Sequence, residues 1–206
     1  MNYKLKRKGR ENSRQREEIL AAAEMVFARK GFFTTKIQDI AKMAGYGIGT
    51  IYKHFKNKES ILIILIRNKF NELINFTQSR VNNNKGAEKK LKSLIYAHLE
   101  FFDNNRDLFR IFAIEHASFE RNLKLRMWKN MQENFKSYEE LFKRIYTDGV
   151  KAEIFRDEDI TSLCLALVGM LNYTMFYKFN SAANDKLIDS ADALCKLFIN
   201  GVRRRG

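Results

Sequence analysis

TKIQDIAKMAGYGIGTIYKHFK, residues 35–56, is the stretch from which the fold follows. Ile37, Ile40, Ala41 and Ala44 fall at i, i+3, i+4 and i+7, the spacing of one apolar helical face. Gly45-Tyr46-Gly47 interrupts the pattern, and Ile48, Ile51, Tyr52 and Phe55 resume it. Two short helices joined by a tight glycine turn make a helix-turn-helix, whose second helix enters the major groove of DNA. Thr35 and Gln38 predict a T-x-x-Q capping box on the first of the two. With Ile51 and Phe55 turned inward, Thr50, Lys53 and His54 face outward, and Tyr52 can pack its ring while presenting its hydroxyl. These are donors suited to phosphate, and Gly49, lacking a side chain, lets the backbone approach a base edge. The glycines are not a nucleotide cradle, because neither a preceding strand pattern nor a Lys-Ser/Thr pair accompanies them.

The same 3.6-residue period runs through nearly all of the chain. Upstream it predicts a helix over 13–30, with Ile19, Leu20, Ala23, Val26 and Phe27 inward and Gly31 as its terminating glycine. Downstream, Asn57 caps a long helix reaching residue 81, closed by Asn82-Asn83-Asn84-Lys85-Gly86. Five more helices are predicted over 87–103, 107–117, 122–147, 159–179 and 185–203. Breaks fall at Asn104-Asn105, Ser118, Asp148-Gly149 and Ser181-Ala182-Ala183-Asn184. In the seventh helix Met131, Phe135, Tyr138, Phe142 and Ile145 form an a/d seam. The expectation is an all-α chain of nine helices. Residues 1–60 make a basic arm and a three-helix DNA-binding domain, and residues 61–206 a larger helical domain.

Charge points to the same partner. The 206 residues carry 38 Lys/Arg against 24 Asp/Glu, a net of +14, and 45% are hydrophobic, enough to bury a core. Lys4, Lys6, Arg7, Lys8, Arg10, Arg14 and Arg16 face only Glu11, a basic arm suited to a polyanion. Proline is absent, so long helices run uninterrupted. Two cysteines, Cys164 and Cys195, cannot make a disulfide scaffold and read as buried, inert thiols. No apolar segment follows the basic start, so no secretory signal is expected and the chain reads as cytoplasmic.

His54, His98 and His116 are far apart with no cysteine pair between them, so neither a metal nor another cofactor is expected. No Ser/His/Asp or Cys/His arrangement is readable, and Glu139-Glu140 reads as a solvated helix face; no enzyme is expected. A basic helical protein at a membrane surface, inserting its apolar segment 163–177, is the alternative class. That segment is apolar nearly all round, which fits burial in a dimer interface better, and no membrane partner is expected.

The stretch over 16–62, REEILAAAEMVFARKGFFTTKIQDIAKMAGYGIGTIYKHFKNKESIL, resembles the TetR-type transcriptional repressors. The resemblance rests on Gly31 followed by Thr34-Thr35, on Ile40-Ala41 with Ala44-Gly45, on Gly49-Thr50-Ile51-Tyr52 with Phe55, and on Lys58-Glu59. It implies a nine-helix TetR-like fold in which a helix-turn-helix part precedes a ligand-binding and dimerisation part. It also implies that Thr35, Tyr52, His54 and Lys58 touch phosphate, and that Gly49, Thr50 and Lys53 lie at or near base edges. Lys36, beside Thr35, joins these candidates. Where the family often has Ser and then a polar or basic residue, this chain has Gly47 and Ile48; an isoleucine there can touch a thymine methyl.

A lone helix-turn-helix reads few base pairs, so a homodimer on an inverted-repeat operator is expected. The two last helices are predicted to pair through Leu163, Leu167, Met170, Leu171 and Thr174, and through Ile188, Ala191, Leu194, Cys195, Phe198 and Val202. Phe101, Phe102, Phe109, Phe112, Phe119 and Trp128 crowd the middle of the chain, either as ordinary core or as an effector pocket. Glu115, His116, Asn172 and Tyr173 are its candidate polar groups. The candidate ligand residues are therefore Phe101, Phe109, Phe112, His116, Trp128 and Tyr173, for a sizeable apolar or aromatic effector that releases a repressor from DNA.

Overall fold

The apolar stripes become eight α-helices among the described residues of the computed structural model: α1 Asn2–Lys30, α2 Ile37–Ala44, α3 Ile48–His54, α4 Lys58–Asn82, α5 Ala87–Asn104, α6 Arg121–Lys151, α7 Ile160–Asn180 and α8 Ala191–Val202. A 3-10 turn, Leu187–Ser190, leads into α8. The structure describes residues 2–107, 109, 118–181 and 185–204, with side chains from residue 7 onward. The all-α class holds. Eight helices stand where nine were expected, and most of the helix expected over 107–117 lies outside the described residues.

Three boundaries differ from the sequence reading. The basic segment is not an arm ahead of the first helix: α1 begins at Asn2, and Arg14 pairs along it with Glu11 at 3.3 Å. The cap of α2 is Lys36, one residue later than expected. Its N–H donates to Asp39 Oδ2 at 2.9 Å, while the Thr35 hydroxyl turns inward and donates to Gly31 O at 2.6 Å. Finally, α6 does not stop at Asp148-Gly149 but continues to Lys151. Other signals read as expected. Gly45 closes α2 at φ 71°, a conformation that favours glycine, and Asn57 Oδ1 accepts from Ser60 N–H at 2.9 Å at the start of α4.

Two apolar cores result. Ile19, Phe27, Ile40, Ile51, Phe55 and Ile66 fill the first, and Leu94, Phe102, Phe142, Tyr146, Leu167 and Phe198 belong to the second. The first core is not confined to residues 1–60. Phe119 and then Leu123 and Met127, from the start of α6, close it. Both α4 and α6 therefore run through both cores, so neither core can tilt without moving a helix of the other.

Part of the interface expected on α7 and α8 is turned into the chain's own core, while Leu163, Met170, Thr174, Ile188 and Leu194 are half-buried. Leu167 and Leu171, with Ala191, Cys195, Phe198 and Val202, are buried within the chain's own second core. The exposed side carries Leu165, Tyr173, Phe176 and Tyr177 on α7 and Leu197 on α8. A helix apolar all round offers no sequence signal for which side its own chain takes. Cys164 and Cys195 are free and buried, and burial pushes their thiols up to about 12 and about 11.

Candidate nucleic-acid interface

Ile51 and Phe55 anchor α3 in the first core, and the Arg16 guanidinium lies 5.3 Å from the Phe55 ring centroid. This leaves Ile48, Gly49, Tyr52 and Lys53 exposed, with Thr50 and His54 half-buried beside them. A Cβ built on Gly49 would meet nothing within 4 Å, so the backbone there is open to close approach. Lys36 is exposed at the start of α2.

The first turns of α1 stand against α3. Lys53 Nζ donates to Asn12 Oδ1 at 3.1 Å, and His54 Nε2 lies 3.2 Å from Gln15 Oε1. Between the helices runs an open groove of about 410 Å³, lined by Arg7, Lys8, Glu11, Asn12, Gln15 and Lys53. Tyr46 in the turn donates to Glu18 and ties α2 and α3 to the same helix. Asn12 and Gln15 escaped the sequence reading; their α3 partners lie 41 and 39 residues away, and no local pattern joins them. Burial first, then the Lys53 and Arg16 charges, hold the His54 imidazole below its ordinary value of 6.5. Both effects favour the neutral ring, a hydrogen-bonding group.

Two expected phosphate contacts have other work. Thr35 is buried, its hydroxyl spent on Gly31 O. Lys58 Nζ donates to three carbonyls, Phe32 O at 2.6 Å, Thr35 O at 2.8 Å and Phe33 O at 3.2 Å, and lies 4.4 Å from the Phe32 ring centroid. An ammonium has three protons, and all three are used. The physical reason is the loop after α1, whose carbonyls converge on the start of α4. Lys58→Met should therefore lower the unfolding free energy by roughly 1–3 kcal/mol. It should leave the salt dependence of DNA binding unaltered. Urea denaturation and a binding series across salt check this; a salt slope reduced by about one unit would restore the phosphate role.

The effector candidates separate. Phe101, Phe102 and Phe109 are buried, and half-buried Phe70 packs against them: Phe102 and Phe109 ring centroids are 4.2 Å apart, and Phe70 is 5.9 Å from Phe109. Phe119 lies in the other core, 5.5 Å from Phe32. Trp128 is 58% exposed and Tyr173 69% exposed, so neither joins the cluster, and Asn172 is exposed as well. Trp128 follows Met127, the residue that α6 turns inward, and so faces out. Phe112, Glu115 and His116 lie outside the described residues. His98, weighed from the sequence only as a metal ligand, is buried with Nδ1 3.0 Å from the Tyr138 hydroxyl and its ring 4.9 Å from Phe102. Burial pulls its pKa down to about 3, so the ring is neutral.

Residues 19–63 match the family profile described as bacterial regulatory proteins, tetR family, and residues 84–176 match a tetracyclin repressor-like C-terminal domain. The chain is 27% identical over 189 residues to the fatty acid metabolism regulator protein of Bacillus subtilis, covering 91% of this chain and 95% of the relative. It is 34% identical over 136 residues to an HTH-type transcriptional regulator of Staphylococcus aureus, covering 65% of this chain and 68% of that one. Among solved structures, the transcriptional regulator FadR from Bacillus subtilis in complex with stearoyl-CoA superposes with a TM-score of 0.77 at 26% identity, covering 90% of this chain and 98% of that one. The fatty acid degradation regulator FadR from Bacillus halodurans gives a TM-score of 0.76 at 26% identity, over 91% and 99% of the two chains.

Proposed function

The chain belongs to the TetR family of bacterial helix-turn-helix transcriptional regulators, and we propose that within it the protein is a cytoplasmic, dimeric repressor released from its operator by a long-chain acyl effector. The observation that carries the effector class is a coincidence of two facts. A regulator similar over 90% of this chain holds stearoyl-CoA, and the second core here gathers Phe70, Phe101, Phe102 and Phe109 between α4 and the end of α5. A core of aromatic rings with few polar groups is the apolar surrounding that a long alkyl chain needs.

On DNA, Lys53, Thr50 and the Gly49 backbone lie nearest the bases, with Ile48 against a thymine methyl. Tyr52, His54 and Lys36 position the protein on phosphates, and the first turns of α1 follow the backbone beside them. The exposed apolar side of α7 and α8 meets its two-fold mate. The helix α7 is also long and apolar enough to cross a membrane, but α8 exposes an apolar residue too, Leu197, and two helices with exposed apolar residues suit pairing with a second copy. An effector acts by preferring a dimer whose α3 helices are wrongly spaced, and α4 and α6, shared by both cores, carry the tilt.

Footprinting on genomic DNA identifies the operator, after which affinity is measured on operator and random duplexes with and without stearoyl-CoA. Stearoyl-CoA should weaken operator binding and raise the melting temperature. Lys53→Ala should lose about tenfold more on the operator than on random DNA. Equal losses on both duplexes would remove Lys53 as a reader. Operator binding unmoved by acyl-CoA of any chain length from lauroyl to stearoyl would overturn the effector class.

A further inference from the structure

Among the described residues, two buried side-chain polar atoms have no hydrogen-bond partner, Thr77 Oγ1 and His98 Nε2. Both belong to the second core. Thr77 sits between Leu73 and Val81 on the inward stripe of α4, and His98 shares the inward stripe of α5 with Leu91, Leu94, Ile95 and Phe102. The two helices are packed side by side at this level. Phe76 of α4 meets Phe101 of α5 at 5.9 Å, and Arg80 pairs with Glu100 at 2.8 Å. Thr77 follows Phe76 directly, and His98 lies one turn before Phe101 and Phe102. The His98 ring in turn touches the Phe102–Phe109 pair.

The hydrogen positions follow from the neighbours. With the Tyr138 hydroxyl donating to His98 Nδ1, the neutral ring keeps its proton on Nε2. The opposite tautomer would strand the phenol hydrogen as well. Two donors therefore stand unpaired at the edge of an aromatic cluster. Leaving such groups unsatisfied destabilises a fold, which makes them informative when both lie on the buried stripes of two neighbouring helices. No Lys or Arg is buried among the described residues, so a carboxylate buried beside these two donors would gain no permanent countercharge from them.

We propose that His98 Nε2–H and the Thr77 hydroxyl are the polar anchor of the acyl-effector site, donating to the carbonyl oxygen of an uncharged acyl thioester or ester and discriminating against the free acid. This rests on the acyl-effector reading above and adds to it the residues that recognise the acyl head.

The test is calorimetric titration of the full chain with three probes: stearoyl-CoA, its thioether analogue octadecyl-CoA, which lacks the carbonyl, and free stearate. The wild type should bind the thioester about tenfold more tightly than either of the others, the worth of a well-made hydrogen bond. Thr77→Val and His98→Leu should each bring that ratio toward one while thioether affinity stays. Helical circular dichroism and operator binding verify that the variants fold, and Thr77→Val, which keeps the shape of threonine, carries the test if His98→Leu does not. A ratio near one in the wild type, or an undiminished ratio in the folded variants, overturns the anchor alone. No binding of any probe overturns the acyl-effector reading and the anchor with it.

Discussion

Phe176→Glu combined with Leu197→Glu should yield a folded chain that sediments as a monomer and binds the operator roughly a hundredfold or more weakly, because linking two half-site readers multiplies their affinities. Both residues stand exposed on the outer side of α7 and α8, with Leu165, Tyr173 and Tyr177 around them. Gly169 lies in the same stripe, and a Cβ there would meet nothing within 4 Å, so a partner helix can approach the backbone closely. Neither substitution touches the chain's own core, which is built from the opposite side of the same helices through Cys164, Leu167, Leu171, Cys195 and Phe198. A glutamate pair facing its own symmetry mate would bury like charges without partners, which no interface core tolerates. Sedimentation velocity at micromolar concentration gives the mass, and titration of whole-operator and half-site duplexes gives the affinity. A dimer that persists, or an operator affinity that does not fall, would place the two-fold contact elsewhere.

What the sequence could and could not reveal follows from the range of each interaction. The helix-turn-helix was legible because its determinants are local. Ile37, Ile40, Ala41 and Ala44 lie within one short helix, and Gly45 adopts the positive φ that ends it. The inward roles of Thr35 and Lys58 were not legible. Lys58 takes carbonyls 23 to 26 residues upstream, and only the folded loop brings them together. The basic segment reads as an arm because it lacks an apolar stripe, yet nothing in it breaks a helix except Gly9, and α1 continues through. For α7, composition gave the helix but not its orientation, since both sides are apolar and only contact with α5 and α6 decides between them. His98 is a single polar residue in an apolar stripe, and its partner Tyr138 is 40 residues away on another helix.

Gly149→Ala should destabilise the protein by about 3 kcal/mol, although alanine is the better helix former by about 1 kcal/mol. The pair Asp148-Gly149 reads as a helix break, but the glycine lies inside α6 and serves packing. A Cβ on it would stand 2.1 Å from Phe155 Cδ2, 2.4 Å from Phe155 Cε2 and 3.0 Å from Ala87 Cβ. Ring carbons cannot accept such contacts, so Phe155 has to leave a site where it is 1% exposed and stacked on Tyr146 at 5.4 Å between centroids. Losing a buried phenylalanine costs roughly 3–5 kcal/mol, and the helix-propensity gain offsets only part of it. The damage would not stay local. Phe155 is bridged to Arg203, Arg156 N–H donates to Val202 O at 2.9 Å, and Arg204 N–H donates to Ile154 O at 2.9 Å. This short pairing fixes the end of α8, the helix that carries Leu197, so a displaced Phe155 should loosen the proposed dimer surface together with the core. Urea denaturation of Gly149→Ala, Phe155→Leu and the double variant separates the terms. Because the smaller leucine makes room for the new methyl group, the double variant should lose less than the two single losses added together. Strict additivity, or a Gly149→Ala protein as stable as the wild type, would show that the ring can swing aside and that the glycine is not there for Phe155.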